Sequence, residues 1–199
     1  MSPKTVILMG RAGSGKGTQS VLLKEELKRL SGREVFYLEV GSKFRAFVEG
    51  TSYSSRKGKE TILRGDLMPS FLAVWNWGSS LLDNLTGEEH LVADGTPRML
   101  GEATMFMEAM QFYNRGPIFL LHLNVPEDEV SKRLTLRARH DDSPEGIANR
   151  LKAFEEETKP VLEFFKTAPG VNFIEIDGHQ AIPEVHKTIM NALAPHLND

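Results

Sequence analysis

The chain has 199 residues, 40% of them hydrophobic, which is enough for one domain with a sizeable core. Its net charge of −3 offers no bulk attraction to nucleic acid or to an anionic membrane. Without cysteine it can form no disulfide and no thiolate metal site, and no apolar run is long enough to span a bilayer.

The first predicted element is a strand over Thr5–Met9. No basic, apolar and small-residue leader precedes it, so a cytoplasmic protein is expected. Next comes Gly10-Arg11-Ala12-Gly13-Ser14-Gly15-Lys16-Gly17-Thr18, the P-loop pattern G-x-x-x-x-G-K-[ST] with one departure. Gly17 fills the hydroxyl slot and the hydroxyl follows at Thr18. Glycines let several backbone N–H groups converge on one anion at the positive end of a helix, and Lys16 reaches the terminal phosphates as a flexible point charge. Strand, loop, lysine and helix occur in order, so the run is expected to bind a nucleoside triphosphate.

A helix is predicted over residues 16–30, carrying Leu22, Leu23, Leu27 and Leu30, with Ser31-Gly32 as its stop. Residues 35–40 read as the second strand. From 41 to 85 the pattern predicts several helices and no strand, a small helical insert on the core. Within it Lys57 and Lys59 read as surface charge. Trp75 and Trp77 are two apart and cannot share a helix face; a core role is favoured over one bordering a ligand. Residues 90–93, 117–125 and 171–176 are the third, fourth and fifth strands, the last closing on Asp177-Gly178. Between the last two, Ile147, Leu151, Phe154, Thr158, Val161 or Leu162, and Phe165 recur on one helical face. Asp142 with Glu145 has capping-box spacing, Pro144 suits a first turn, and Pro160 should bend this helix. Strands alternating with helices predict an α/β fold, a parallel sheet covered on both faces.

Asp94-Gly95-Thr96-Pro97-Arg98 lies just past an apolar strand, where open α/β sheets bind ligands. A carboxylate there suits the water shell of Mg²⁺, and an arginine suits a phosphate. Further arginines stand at 45, 133, 137, 139 and 150, with Arg133 and Arg137 on one helix face. A kinase acting on an alcohol benefits from a carboxylate base. A nucleoside monophosphate is already an anion and instead needs cationic clamps to align two phosphates in line. The arginine set fits the second demand. The six histidines lack ligand spacing, so no structural zinc is expected.

These residues resemble the adenylate kinase family of nucleoside monophosphate kinases over nearly the whole chain. Residues 10–19 look like its GxxGxGKGTQ loop, with Arg11-Ala12 where Ala-Pro or Pro-Pro is usual; Gly17 is itself the family form. Gly41-Ser42-Lys43-Phe44-Arg45 is similar to TGDxxR, and Gly65-Asp66-Leu67-Met68-Pro69 to G-x-L-V-P. Asp94–Arg98 is similar to DGFPR with Thr96 replacing Phe, and Arg139-His140-Asp141-Asp142 followed by Arg150 matches RxDD and its arginine. Asp177-Gly178 resembles the late turn near the donor adenine.

The resemblance implies a five-stranded P-loop NTPase fold ordered 2-3-1-4-5, in one domain spanning 1–199. A helical monophosphate-binding insert would occupy 41–70, and a vestigial lid turn 138–142. It implies reversible phosphoryl transfer from MgATP to AMP. Gly13, Ser14, Gly15, Lys16, Gly17 and Thr18 would cradle the donor phosphates, with Arg133 on the donor base. Arg45 and Arg98 would hold the acceptor phosphate, with Val40, Gly41, Met68, Gly95 and Glu102 around the acceptor. Arg137, Arg139 and Arg150 would stabilise the transferring group, Arg137 also touching ATP and Arg139 and Arg150 the AMP. Asp94 and Thr18 would organise Mg²⁺, partly through water. The expected partners are these nucleotides, with no nucleic acid, membrane or obligate protein partner.

Three departures bear on this. A single residue, Ala138, separates Arg137 from Arg139, where long family members carry a lid. Val40 and Ser42 stand where Thr and Asp are usual, and Glu102 where a glutamine usually reads adenine. An ionised carboxylate offers acceptors alone and in isolation suits guanine, so GMP, CMP and UMP remain alternative acceptors. A nucleotide-binding switch of GTPase type is a further alternative, although the fourth strand ends His122-Leu123-Asn124-Val125-Pro126 with no N/T-K-x-D segment.

Overall fold

The computed structural model describes residues 1–137 and 142–197. β1 (Thr5–Met9), apolar after its first residue, is buried at every position and lies at the sheet's centre. A residue buried on both sides of a strand must be apolar in either direction, which is why β1 shows no alternation. Around it β2 (Val35–Glu39), β3 (His90–Asp94), β4 (Ile118–Asn124) and β5 (Val171–Asp177) form one sheet in the order β2-β3-β1-β4-β5. All pairings are parallel, with Val6 beside Val92 on one side and Phe119 on the other. This is the architecture and strand order expected.

Strand side chains alternate, so the two faces of β1 feed two cores. Val6 and Leu8 pack with Leu23 and Leu27 of α1 (Lys16–Ser31) and with Val185, Ile189 and Leu193 of α9 (Ile182–Leu197). Ile7 and Met9 pack on the other face with α2 (Val40–Val48), α4 (Ser70–Asn84), α5 (Leu100–Phe112) and α8 (Lys159–Thr167). The connection leaving β1 runs toward β2, whereas the one leaving β3 crosses β1 to reach β4. A crevice must open between the carboxyl ends of β1 and β3, where these connections part.

Residues 41–85 fold as helices without a strand: α2, α3 (Tyr53–Arg64) and α4. Lys57 and Lys59 are exposed and pair with Glu60 and Glu49. Trp77 is buried edge-on to Phe106, and Trp75 is 54% exposed against Phe47.

Three local expectations need correction. β2 ends at Glu39 and Val40 is already helical. The cap of α7 (Pro144–Ala153) is Ser143, whose Oγ accepts the Gly146 N–H at 3.1 Å. Asp142 is not available for capping because two arginines take its carboxylate. The interruption expected at Pro160 is a π turn over Phe154–Thr158, in which the Lys159 N–H donates five residues back to Phe154. The predicted face survives that extra residue: Ile147, Leu151, Phe154, Thr158, Val161, Leu162 and Phe165 are all buried.

Candidate active site

The loop after β1 is shaped by glycines that no other residue could replace cheaply. A Cβ on Gly10 would lie 2.5 Å from the Leu123 carbonyl oxygen. Gly13, at φ +83°, lies against Leu134 and the Val130 carbonyl of α6 (Glu127–Arg137). Gly15 at φ +96° caps α1 without any side-chain hydrogen bond. The first N–H groups of α1 are therefore left to whatever fills the loop, an arrangement that attracts anions.

Lys16 folds back over this loop, its Nζ donating to the Gly10 and Arg11 carbonyls, each at 2.8 Å. Loss of water around the ammonium, reinforced by Arg98 and Arg137 against the opposing pull of Asp94, brings its pKa down to about 8. Arg11, which stands where the loop departs from the family form, ties the loop to the π turn. Its guanidinium donates to the Val125 carbonyl, pairs with Glu155 and sits 4.8 Å from the centre of the Phe154 ring.

Across the crevice, Asp94 ends β3 and accepts a hydrogen bond from the Tyr37 hydroxyl at 2.9 Å. Desolvation and the Asp94 charge together push the Tyr37 phenol upward, so it stays a donor. Gly95 turns the chain at φ +65°, where a Cβ would press on the Arg98 guanidinium. Arg98 Nε donates to the Gly95 carbonyl at 2.6 Å, which aims the guanidinium along the cleft floor. Enclosure there lowers its pKa, with Glu102 and Asp94 opposing.

One cleft of about 930 Å³ joins these groups. Gly13, Ser14, Gly15, Lys16, Gly17 and Thr18 line it from the loop, and Asp94, Gly95, Arg98 and Glu102 from the turn after β3. Val40, Gly41 and Arg45 line it from α2 and Met68 from the turn before α4. Arg133 and Arg137 reach it from α6 and Arg150 from α7. Arg139 and the proposed lid turn, apart from Asp142, lie outside the described residues.

The arginines are held by specific partners. Arg137 pairs with both oxygens of Asp142, at 2.9 and 2.8 Å, and Arg150 reaches Asp142 Oδ1 at 2.7 Å. Arg133 donates to Glu129 and to the Gly178 carbonyl, and Arg45 sits 3.1 Å from Glu39. Trp75 is not part of the lining. The sequence reading missed Tyr37, Phe44, Gln180 and Ile182, which also line the cleft. Tyr37 had a usable signal, since it sits near the carboxyl end of a strand beside β3; the others had none. Among the described residues no group of three or more His, Asp or Glu side chains could hold a metal ion, and no helix is long and apolar enough to cross a membrane.

A P-loop on a five-stranded parallel sheet, opening into a cleft lined with arginines, defines a P-loop protein of the nucleotide-binding class. The family model described as adenylate kinase matches residues 8–169. A Nocardia farcinica adenylate kinase is 31% identical over 94% of this chain and 98% of its own. One from *Trichodesmium erythraeum* is 30% identical over 97% of both chains, and one from *Prochlorococcus marinus* is 29% identical over 88% of this chain and 91% of its own. The chain belongs to the adenylate kinase family.

Proposed function

We infer that the protein is an adenylate kinase, transferring the terminal phosphoryl group of MgATP to AMP, reversibly, to give two ADP. The observation that carries this is the continuity of the cleft. A triphosphate-binding loop and a set of arginines on separate elements face the same space, with no barrier between donor and acceptor ends.

In this reading Lys16 and the N–H groups of Gly13–Thr18 hold the donor phosphates, and Arg133 lies on the donor base. Arg98 and Arg45 hold the acceptor phosphate, with Val40, Gly41, Met68, Gly95 and Glu102 around the nucleoside. Arg137, Arg139 and Arg150 stabilise the charge that spreads over the transferring group. No general base is required, because the attacking phosphate is already an anion; catalysis is alignment and charge stabilisation.

The oxygen donors suit Mg²⁺ rather than a caged ion. Asp94 is a single carboxylate at the end of β3, backed by the Tyr37 O–H and close to Gly17. Magnesium keeps several waters and typically takes only one or two carboxylates beside phosphate oxygens. When bound with ATP it would offset charge on the phosphates, with Asp94 and Thr18 near its water shell. Zinc has no structural part in this reading. Residues 1–199 form a single kinase domain, with 41–70 as its acceptor insert and 138–142 as a turn in place of a lid. A cytoplasmic enzyme needing no nucleic acid, membrane or protein partner fits this chemistry.

The test is a panel of AMP, GMP, CMP, UMP and no acceptor, each with MgATP. AMP should give the highest kcat/KM. With so short a turn in place of a lid, ATP hydrolysis without acceptor should be measurable, since less water is excluded. A higher kcat/KM for any other monophosphate would overturn the assignment of AMP.

A further inference from the structure

Glu102 is in the first turn of α5, where a carboxylate is ordinarily a solvated anion. Here it is 3% exposed, and its Oε2 accepts the Arg98 N–H at 3.0 Å. It lines the cleft together with the apolar side chains of Val40, Phe44, Ile62, Met68 and Ala73. Apolar walls accept the faces of a flat base, and the polar edge of that base must then meet polar groups at the rim of the slot.

The charged groups facing this part of the cleft come from four neighbouring elements. Arg98 and Asp94 come from the turn after β3 and its strand, Arg45 from α2 and Arg150 from α7. Asp66, from the turn after α3, is paired with Arg64, and Arg45 with Glu39; α4 lines the cleft with Ala73 alone. Arg98 is the charge that acts directly on Glu102, and it favours the ionised form. Burial outweighs it and raises the carboxyl's pKa.

Adenine presents an acceptor at N1 beside a donor on its 6-amino group. An ionised carboxylate offers acceptors alone, so one of its oxygens would face the N1 lone pair without a proton between them. A neutral carboxylic acid carries one O–H donor beside one C=O acceptor and matches the adenine edge as a carboxamide does. We propose that Glu102 reads the acceptor adenine as a neutral carboxylic acid, Oε1–H donating to N1 while Oε2 accepts from the 6-amino group and from the Arg98 N–H. The proton comes from solvent as AMP binds and returns to solvent on release; no covalent bond forms or breaks. This rests on AMP being the acceptor. It makes selectivity depend on pH: ionised Glu102 suits guanine, whose N1 and 2-amino groups both donate.

The measurement is calorimetric titration of AMP into the full chain between pH 6 and 9, in buffers of different ionisation enthalpy, for the wild type and Glu102→Gln. The phosphate of AMP titrates alike in both, so the difference between the proteins isolates residue 102. The wild type should take up about one proton more per AMP than Glu102→Gln near neutral pH. Its Kd for AMP relative to that of the variant should rise by up to roughly tenfold per pH unit. Equal proton uptake with a Kd ratio independent of pH would overturn the proposal. Should Glu102→Gln fail to fold, the wild type alone decides: its preference for AMP over GMP must fall as pH rises, and a constant ratio overturns the proposal. If AMP does not bind while another monophosphate is phosphorylated, the functional reading fails and takes this proposal with it.

Discussion

Lys16, half-buried, and Arg98, exposed to the cleft, are charges turned toward one shared space, an arrangement suited to holding an anion. Each is held from behind by backbone carbonyls, Gly10 and Arg11 for Lys16 and Gly95 for Arg98. Lys16→Ala and Arg98→Ala should each lower kcat by roughly 10²–10³-fold, since each removes a clamp on developing charge. Neither packs the core, so thermal unfolding should stay cooperative in both variants. Near-normal turnover in either would remove that residue from the catalytic set. At this scale the loop and the Asp94–Arg98 turn were legible because phosphate chemistry dictates residue types at fixed spacing. The burial of Glu102 was not, since it depends on tertiary packing around α5 and the residue's neighbours in sequence are unremarkable. A free carboxylate on a solvated helix face is excluded by its 3% exposure.

The elements are tied together at contacts that pattern alone does not reveal. α3 ends on Gly65 at φ +80°, and a Cβ there would lie 2.3 Å from the Gly146 carbonyl oxygen of α7. Asn149 Nδ2 donates to the neighbouring Arg64 carbonyl at 2.7 Å, so the end of α3 is fastened to the helix that carries Arg150. Gly65→Ala should therefore push α3 off α7 and raise the KM for AMP several-fold. Gly32→Ala is the control, since Gly32 also has positive φ, +69°, with nothing near its Cβ position. Both substitutions should cost about 1–2 kcal/mol of stability from the backbone alone. An unchanged AMP KM in Gly65→Ala, or an equal rise in Gly32→Ala, would show that the α3–α7 contact does not shape the acceptor side. Helix existence and facing were legible from periodicity. The cap at Ser143 rather than Asp142 was not, because the competing partners of Asp142 are Arg137 on the preceding helix and Arg150 on the following one.

Across the whole molecule, the sheet order followed from the resemblance, while the strands themselves were legible as short, largely apolar runs. The end of the sheet opposite the cleft carries a separate electrostatic arrangement. His90 is fully buried; its Nδ1 accepts the Lys4 N–H at 2.9 Å and its Nε2 meets Ser31 Oγ at 2.9 Å. Burial, aided by Arg33, Arg115 and Lys4, lowers its pKa to about 4. The unfolded chain then binds more protons between the ordinary histidine value near 6.5 and that value. This stabilisation is complete above about pH 6.5 and is lost as pH falls toward 4, at up to about 1.4 kcal/mol per pH unit. Urea midpoints at pH 7.5 and 5 should converge when His90→Gln is compared with the wild type. Parallel losses in both proteins would assign the acid sensitivity to other groups. Glu89 and Arg115 beside it form a nearly buried pair, with both Arg115 Nη groups on the Glu89 carbonyl.

That both ends of one cleft accept an adenine nucleotide is tested most directly with ADP and Mg²⁺ as the sole additions. One ADP must then serve as donor and another as acceptor. Quantifying nucleotides by chromatography or ³¹P NMR should show ATP and AMP appearing in equal amounts until equilibrium is reached. ADP left intact, or converted to AMP and inorganic phosphate without ATP, would contradict the assignment of the cleft as an adenylate kinase site.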